Sequence, residues 1–533
     1  MVDYEVIVIG AGVAGIYQIK RLVDLDIAAT VLESSPDLGG TWYNNRYPGA
    51  RFDSESYTYG YSFSQELLDE WDWTEEFSPQ PETLKYLNFV ADKFDLRQHM
   101  QFDSRVDVMR FDDDQSQWTL DLSDGRRLTC RFVLMAVGLI SIPTMPRIEG
   151  IETFEGLGFH PFDWPHDPPD LAGKKMAVVG TGASAIQIIP EVAKEVEHLT
   201  VFQRRPNWAA PLNNSEISAA EMETIRDRYD EIFATCARTP GGFEHEPDRR
   251  GFFNVPEQER VELWDRLYEE PGFGIWLQNF VEIFMDEDAN AEFSDYIADR
   301  IRRRVDDPTL AEKLIPKDHG FGVQRLPMET GYYETYNRDN VVLVDGSETP
   351  IERITPTGIQ TTEGHHEFDI IVYATGFDAF TGAYDRIAIE GPTGQTLREK
   401  WAEGPVTFLG TMVHGFPNLM MIPGPQVSVT NFPRSVETSV DWVTALLEHA
   451  WANDHVRVEP TAAAERGWFQ EVVDWYKPFL LRDSKGWITG YNSNLDGHEH
   501  GRIRYNVYNG GGPKFVAKLA DVVANGYEGI SLT

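Results

Sequence analysis

Residues 4–15 read Tyr4-Glu-Val-Ile-Val-Ile9-Gly10-Ala-Gly12-Val-Ala-Gly15. A continuous apolar run of this kind suits a strand buried on both faces of a parallel sheet. The run breaks at once into G-x-G-x-x-G, and Ile16–Val23 then carries helical periodicity. A second apolar segment, Ala28–Leu32, ends in Glu33. Strand, glycine turn, helix, strand and acid together form the dinucleotide-binding unit in its full context, which a lone glycine motif does not. Gly10 and Gly12 let the backbone approach a pyrophosphate at the helix N-terminus, Gly15 completes the motif, and Glu33 can accept from ribose hydroxyls.

The same order recurs further on. Lys174–Val179 predicts a strand, Gly180-Thr181-Gly182-Ala183-Ser184-Ala185 a turn with alanine in the third place, Ile186–Val196 a helix and Leu199–Gln203 a second strand. Glu33 follows Gly10 by 23 residues; Arg204 follows Gly180 by 24, with Arg205 beside it. A carboxylate repels a 2′-phosphate, whereas guanidinium groups bind it through paired hydrogen bonds. The first unit therefore suits FAD or NAD and the second NADP, although arginines at a strand end are often only solvated. Two such units imply electron transfer between two nucleotides. The chain has only Cys130 and Cys236 and no C-x-x-C, so the receiving group is expected to be a flavin, with no dithiol centre and no metal site.

The expected fold class is α/β: two Rossmann-like dinucleotide-binding domains with a helical insertion. Residues 1–140 with 378–533 are read as the FAD-binding domain, 141–210 with 325–377 as the NADP-binding domain, and 211–324 as the insertion. That insertion rests on the long charged stretches Ser218–Arg238, Pro256–Glu270 and Asp295–Val305. The segments Trp71–Phe77 and Pro81–Phe94 read as helices, Phe102–Thr129 as a β-meander turning at Asp124-Gly125, and Phe132–Gly138 as a buried strand. A further apolar strand runs into Ala374-Thr-Gly376, and an amphipathic helix covers about 436–452.

At 533 residues the chain is too long for one core, and 41% hydrophobic with 12% aromatic content is that of a globular protein. The start reads as a strand rather than a leader, and no run reaches 18 apolar residues, so a cytoplasmic protein without a membrane partner is expected. The formal charge of −39 argues against nucleic acid as a partner. Only 13 of the 47 basic residues are lysine, and an acidic, lysine-poor surface suits a halophilic setting, where charges are screened within roughly 3 Å at 1 M salt.

Two further stretches carry chemistry. The loop Gly39-Gly40-Thr41-Trp42-Tyr-Asn-Asn-Arg-Tyr-Pro-Gly-Ala-Arg-Phe-Asp53 is dense in glycine and aromatics, as loops that wrap a flat ring system are. Asp53 taken alone reads as a turn-former. Ahead of the second unit lies Phe154-Glu-Gly156-Leu-Gly-Phe-His160-Pro-Phe-Asp-Trp164-Pro165, a stiff connector in which prolines fix φ and aromatics call for burial.

With these in place, the chain from about residue 4 to its end resembles the type I Baeyer–Villiger monooxygenases. The resemblance rests on GAGVAG, GGTWYNNRYPGARFDSES, FEGLGFHPFDWP, GTGASA, VFQRRPNW, QRLPMETGYYETYNRDN, ATGFD and GFPNLMMIPGP. Trp164-Pro165 discriminates it from the N- and S-oxygenating flavin monooxygenases, the alternative reading. A flavoprotein NADPH sensor or uncoupled oxidase is a third. The resemblance implies an FAD enzyme that uses NADPH and O2, through a flavin peroxide, to convert ketones, weakly steered towards cyclic and terpenoid ones, to esters or lactones, as a monomer or homodimer. It implies Arg325 as the catalytic arginine, Asp53 as the carboxylate that orients it, and His160 as structural. Gly40, Thr41, Trp42, Asp53 and Tyr59 fall among the flavin contacts, and Gln324 and Trp487 among those of NADP. Where the family has lysine this chain has Gln324, and where it has threonine, Arg205; Arg205 is expected to compensate.

Overall fold

The computed structural model describes residues 2–498 and 500–533; Met1 and Glu499, both inside the range expected for the first domain, lie outside the described residues. The strand Tyr4–Ile9, buried over its last four residues, pairs in parallel with Ala29–Leu32 on one side and Arg127–Met135 on the other. The register Val6↔Ala29 to Ile9↔Leu32 brings Gly10 level with Glu33, so the turn and the acid meet at the carboxyl edge of the sheet, which is where open α/β sheets bind ligands.

Among the described residues this sheet has eight strands. The β-meander, Val106–Asp112, Gln117–Leu122 and Arg127–Met135, is antiparallel, and its last strand runs on to become the parallel neighbour of Tyr4–Ile9. Two strands arrive from the far end of the chain: Ala388–Glu390 pairs with Val106–Asp112, and Leu419–Met421 with Arg127–Met135. The helix Val13–Asp24 packs against Phe432–Ala452, with Tyr17 donating to Asp441 at 2.8 Å and Gln18 to Thr444 at 3.2 Å.

The second sheet is wholly parallel, ordered Val341–Asp345, His198–Gln203, Lys175–Val179, Ile370–Tyr373, Leu157–Phe159. Its last strand belongs to the connector, so that stretch is an edge of the sheet rather than a free linker. The insertion leaves the core at Ala210–Pro211 and returns at Met328–Glu329, and these short strands pair in parallel to close its base. Among the described residues no helix is long and apolar enough to cross a membrane.

Three expectations about local structure change. Trp71–Phe77 is not helical; the helix there is Gln65–Glu70, capped by Ser64. The next residues bond sideways, Glu76 N–H to Ser215 and Ile217 N–H to Thr74, and an extended backbone turns Trp71 and Trp73 together onto Tyr86, at 5.2 and 4.8 Å between ring centroids. Ser218–Arg238 breaks at Arg228 into Ala219–Asp227 and Tyr229–Arg238. The helix expected over Ile186–Val196 spans Ala183–Val192, with Pro190 in its last turn.

Candidate active site

One cleft of about 1510 Å³ runs between the two sheets and the insertion. Two helices open into it at their N-termini: Val13–Asp24 after Gly12, and Ala183–Val192 after Gly182. Neither has a side-chain cap, so the first N–H groups of both face the cleft as ready anion sites. The turns that aim them need glycine. Gly10 and Gly180 take φ of +104° and +114°, and a Cβ would come within 2.5 Å of the Ala136 carbonyl oxygen and 2.3 Å of that of Ala374.

Glu33, buried at the edge of this cleft, is already organised: Oε2 accepts from the Ala11 N–H at 2.7 Å and Oε1 from Ser35 N–H at 2.7 Å. Beyond Gly12, Gly40 and Thr41, the wall is aromatic. Phe52 stacks on Tyr59 at 4.2 Å, and Trp42 donates its indole N–H to the Tyr59 hydroxyl at 3.1 Å. The same loop is tied to the second nucleotide helix, because Tyr47 donates to Gln187 at 2.9 Å and Gln187 donates to the Arg51 carbonyl at 3.0 Å. Flat rings beside an uncapped helix and an acid fit a dinucleotide with an extended ring system.

Asp53 and Arg325 meet at the centre. Asp53 Oδ2 lies 2.6 Å from Arg325 Nη1, with the Asp53 side chain 3% and that of Arg325 32% exposed. Arg325 Nη1 also donates to the Leu326 carbonyl at 2.9 Å, its guanidinium lies 5.6 Å from the Phe273 ring, and Asp53 Oδ2 accepts from Met328 N–H at 3.3 Å. The arginine is thus anchored on one edge and open to the cleft on the other, beside an apolar wall of Phe243, Phe273, Trp276 and Leu277 from the insertion.

At the second nucleotide end, Gly182, Ala183, Ser184, Arg204, Arg205, Gln324 and Trp487 line the same cleft. Arg204 bonds the Ser493 hydroxyl. Arg205 is paired with Asp318 at 3.3 Å, donates to the Lys485 carbonyl at 3.3 Å and lies 5.5 Å from the Tyr491 ring. Trp487 stacks on Phe380 at 5.6 Å. Gly15, Gly180, Thr181 and Ala185 support the cleft without lining it among the described residues; Thr181 holds the Arg205 carbonyl at 2.8 Å.

The connector residues Phe154, Gly156, Trp164 and Pro165 do not line the cleft among the described residues. Trp164 is buried edge-on to Phe159 at 5.1 Å, and a Cβ on Gly156 would meet the Asp369 carbonyl oxygen at 2.5 Å. His160 is the exception, bonding from the cleft wall to the Gly376 carbonyl at 3.0 Å through Nε2 and accepting the Phe162 N–H at 3.1 Å on Nδ1. An Nδ1 that accepts the Phe162 N–H carries no proton, so the ring is neutral, and burial, against the Gly376 bond, pushes its pKa down to about 4. Sequence reasoning missed Phe243, Phe273, Asp318, Lys485 and the buried pair Glu55–His245 at 2.7 Å. Only Lys485, two residues before Trp487, and Glu55, two after Asp53, had a nearby signal.

Two uncapped nucleotide helices facing one cleft, one beside an acid and the other beside two arginines, define a two-nucleotide oxidoreductase. Residues 3–216 match the family model described as FMO-like, flavin-binding monooxygenase-like. The 2-oxo-Δ3-4,5,5-trimethylcyclopentenylacetyl-CoA monooxygenase of Pseudomonas putida is 42% identical over 99% of this chain and 98% of its own length. The cyclopentanone 1,2-monooxygenase of Comamonas sp. is 35% identical over 99% and 96%. Among solved structures, OTEMO in complex with FAD and NADP superposes with a TM-score of 0.96 at 41% identity, covering both chains fully. The chain belongs to the flavin-binding monooxygenase family and, within it, to the Baeyer–Villiger monooxygenases: it is an FAD- and NADPH-dependent oxidoreductase.

Proposed function

We propose that this enzyme takes up a cyclic ketone, NADPH, a proton and O2 and releases a lactone, NADP+ and water. Bound FAD supplies the redox chemistry and the activation of oxygen. The chain's own part is to hold the two nucleotides, orient the ketone, exclude water and stabilise charge. The uncapped helices after Gly12 and Gly182 are suited to the two pyrophosphates, the Trp42–Phe52–Tyr59 wall to the flavin ring, and Arg204 to the 2′-phosphate. The domain division 1–140 with 378–533, 141–210 with 325–377 and 211–324 is supported by the late strands Ala388–Glu390 and Leu419–Met421 joining the first sheet.

The observation that carries the reading is the Asp53–Arg325 pair, buried on the aspartate side and open to an apolar wall on the arginine side. Nucleophilic attack on a ketone carbonyl turns its oxygen into an oxyanion. A guanidinium already aimed at that position stabilises the transition state without reorganising. Asp53 keeps Arg325 oriented, and Phe243, Phe273 and Leu277 provide the dry surface that a cyclic hydrocarbon skeleton fills.

The test supplies purified holoenzyme with NADPH, oxygen and either cyclopentanone, cyclohexanone, an amine or a sulfide. One lactone formed per NADPH consumed is the expected outcome. Oxygenation of the amine or sulfide with no ketone turnover would replace the reading with N- or S-oxygenation, and peroxide release alone would replace it with an oxidase.

A further inference from the structure

The arginine end of the cleft holds more positive charge than its own carboxylates balance. Arg205 is matched by Asp318, which is itself held by His319 at 2.8 Å. Arg204 has no carboxylate partner among the described residues, only the Ser493 hydroxyl. Burial, and then the neighbouring Arg205, lower its pKa, which marks a desolvated cation that an anion would relieve. Lys485 lines the same cleft and also has no carboxylate partner among the described residues. The outlying lysines behave differently: Lys313 and Lys317, on the far side of the arginines, are paired with Glu348 and Glu312 at 2.6 and 2.7 Å.

Lys485 is held here by its backbone, since its carbonyl accepts from Arg205 Nη2 at 3.3 Å. The next residue, Gly486, lies against Gln324, whose Oε1 would be 3.6 Å from a Cβ built on it. The segment 485–493 thus joins the cleft at three points: the Lys485 backbone, the Tyr491 ring over Arg205 and the Ser493 hydroxyl on Arg204. Arg204, Arg205 and Lys485 against Asp318 leave two net positive charges, which match a phosphate monoester of about −1.5 to −2.

Resting on the reading of this end as the NADP site, we propose that Lys485 is a specificity-determining residue for NADPH. Its ammonium and the Arg204 guanidinium take the 2′-phosphate, while Asp318 holds Arg205 as a neutralised platform beneath. The cation missing at Gln324 is then supplied from the 485–493 segment.

The test titrates oxidised, FAD-loaded enzyme with NADP+, NAD+ and 2′,5′-ADP by calorimetry at fixed ionic strength. Lys485→Ala is expected to weaken NADP+ and 2′,5′-ADP about tenfold or more, the scale of one charge-assisted hydrogen bond, and to leave NAD+ unchanged. Lys485→Arg should retain the affinity, and Lys485→Ala with Gln324→Lys should recover it. If Lys485→Ala weakens NADP+ and NAD+ equally, or neither, while Arg204→Ala selectively weakens NADP+, the assignment to Lys485 is overturned and the site reading stands. If Arg204→Ala also leaves the two nucleotides undistinguished, the site reading itself fails, and the proposal with it.

Discussion

Asp53 Oδ2 and Arg325 Nη1 lie 2.6 Å apart although one residue follows the first nucleotide unit and the other opens the return from the helical insertion. The pair is where the three parts of the chain meet: the flavin-side loop offers the carboxylate, the return from the insertion offers the guanidinium, and the insertion offers Phe273 beneath it.

Arg325→Ala is expected to lower kcat for ketone oxygenation on the order of 10²–10³-fold, the typical cost of removing one preorganised oxyanion donor. Asp53→Ala should lower it less, and the double variant should be no worse than Arg325→Ala, because the aspartate acts through the arginine. Steady-state lactone formation over the four proteins checks this; additive losses would separate the two roles.

Arg204→Ala should erode the NADPH-over-NADH preference by about tenfold, and Arg205→Ala by less, since Asp318 already shares the charge of Arg205. The ratio of kcat/KM for the two coenzymes reads both. An unchanged ratio in Arg205→Ala would remove Arg205 from phosphate recognition altogether.

Glu55 and His245 form a buried pair, with Gln278 on the other ring nitrogen at 2.9 Å. Desolvation opposes ionisation of both groups, yet the pairing keeps Glu55 below and His245 above their ordinary pKa values. Glu55 therefore adds stability above the ordinary carboxylate range and loses it as pH falls through its depressed pKa; His245 adds stability below pH ~6.5 and loses it as pH rises through its elevated one. Glu55→Gln, which removes the charge that balances the buried His245 imidazolium, should cost about 3 kcal/mol in urea unfolding at pH 7. A loss below 1 kcal/mol, as for a surface pair, would contradict a buried ion pair.

His160 runs the other way. Its folded pKa, pushed down to about 4 by burial, lies below the unfolded value, so the unfolded chain binds the proton first as pH falls. Its contribution is complete above pH ~6.5 and shrinks by about 3 kcal/mol on descending to pH ~4. His160→Gln should flatten that part of the stability–pH curve, and an unflattened curve would rule out titration of His160 as its source.

With a charge of −39 and few lysines, the folded chain is expected to gain from added KCl as like charges are screened. Thermal midpoint and activity should hold or rise from low to molar KCl; a steady fall in both would refute salt adaptation.

The two nucleotide units were legible because their signal is local: an apolar run, a turn that only glycine accommodates and a helix follow one another within about 20 residues. Glu33, Arg204 and Trp487 were singled out by their offset from such units or by resemblance, and all three line the cleft or its edge. Trp71–Phe77 was misread because aromatics at alternate positions obey an extended period, and the backbone bonds of Thr74 and Glu76 go to residues 215–217, far along the chain. The closing strands Ala388–Glu390 and Leu419–Met421 are three residues each, too short to carry a periodic signal.

By itself, the sequence determined the α/β class, the two dinucleotide units and the difference in charge between them, since each follows from short-range spacing. The family resemblance paired Asp53 with Arg325 and the tertiary structure sets them 2.6 Å apart, but only the tertiary structure decided that Asp318 pairs with Arg205 and that Lys485 reaches the arginine end of the cleft. Those pairings join residues far apart in the chain. What selects them is the burial of apolar surface and the matching of desolvated charge, neither of which local spacing encodes.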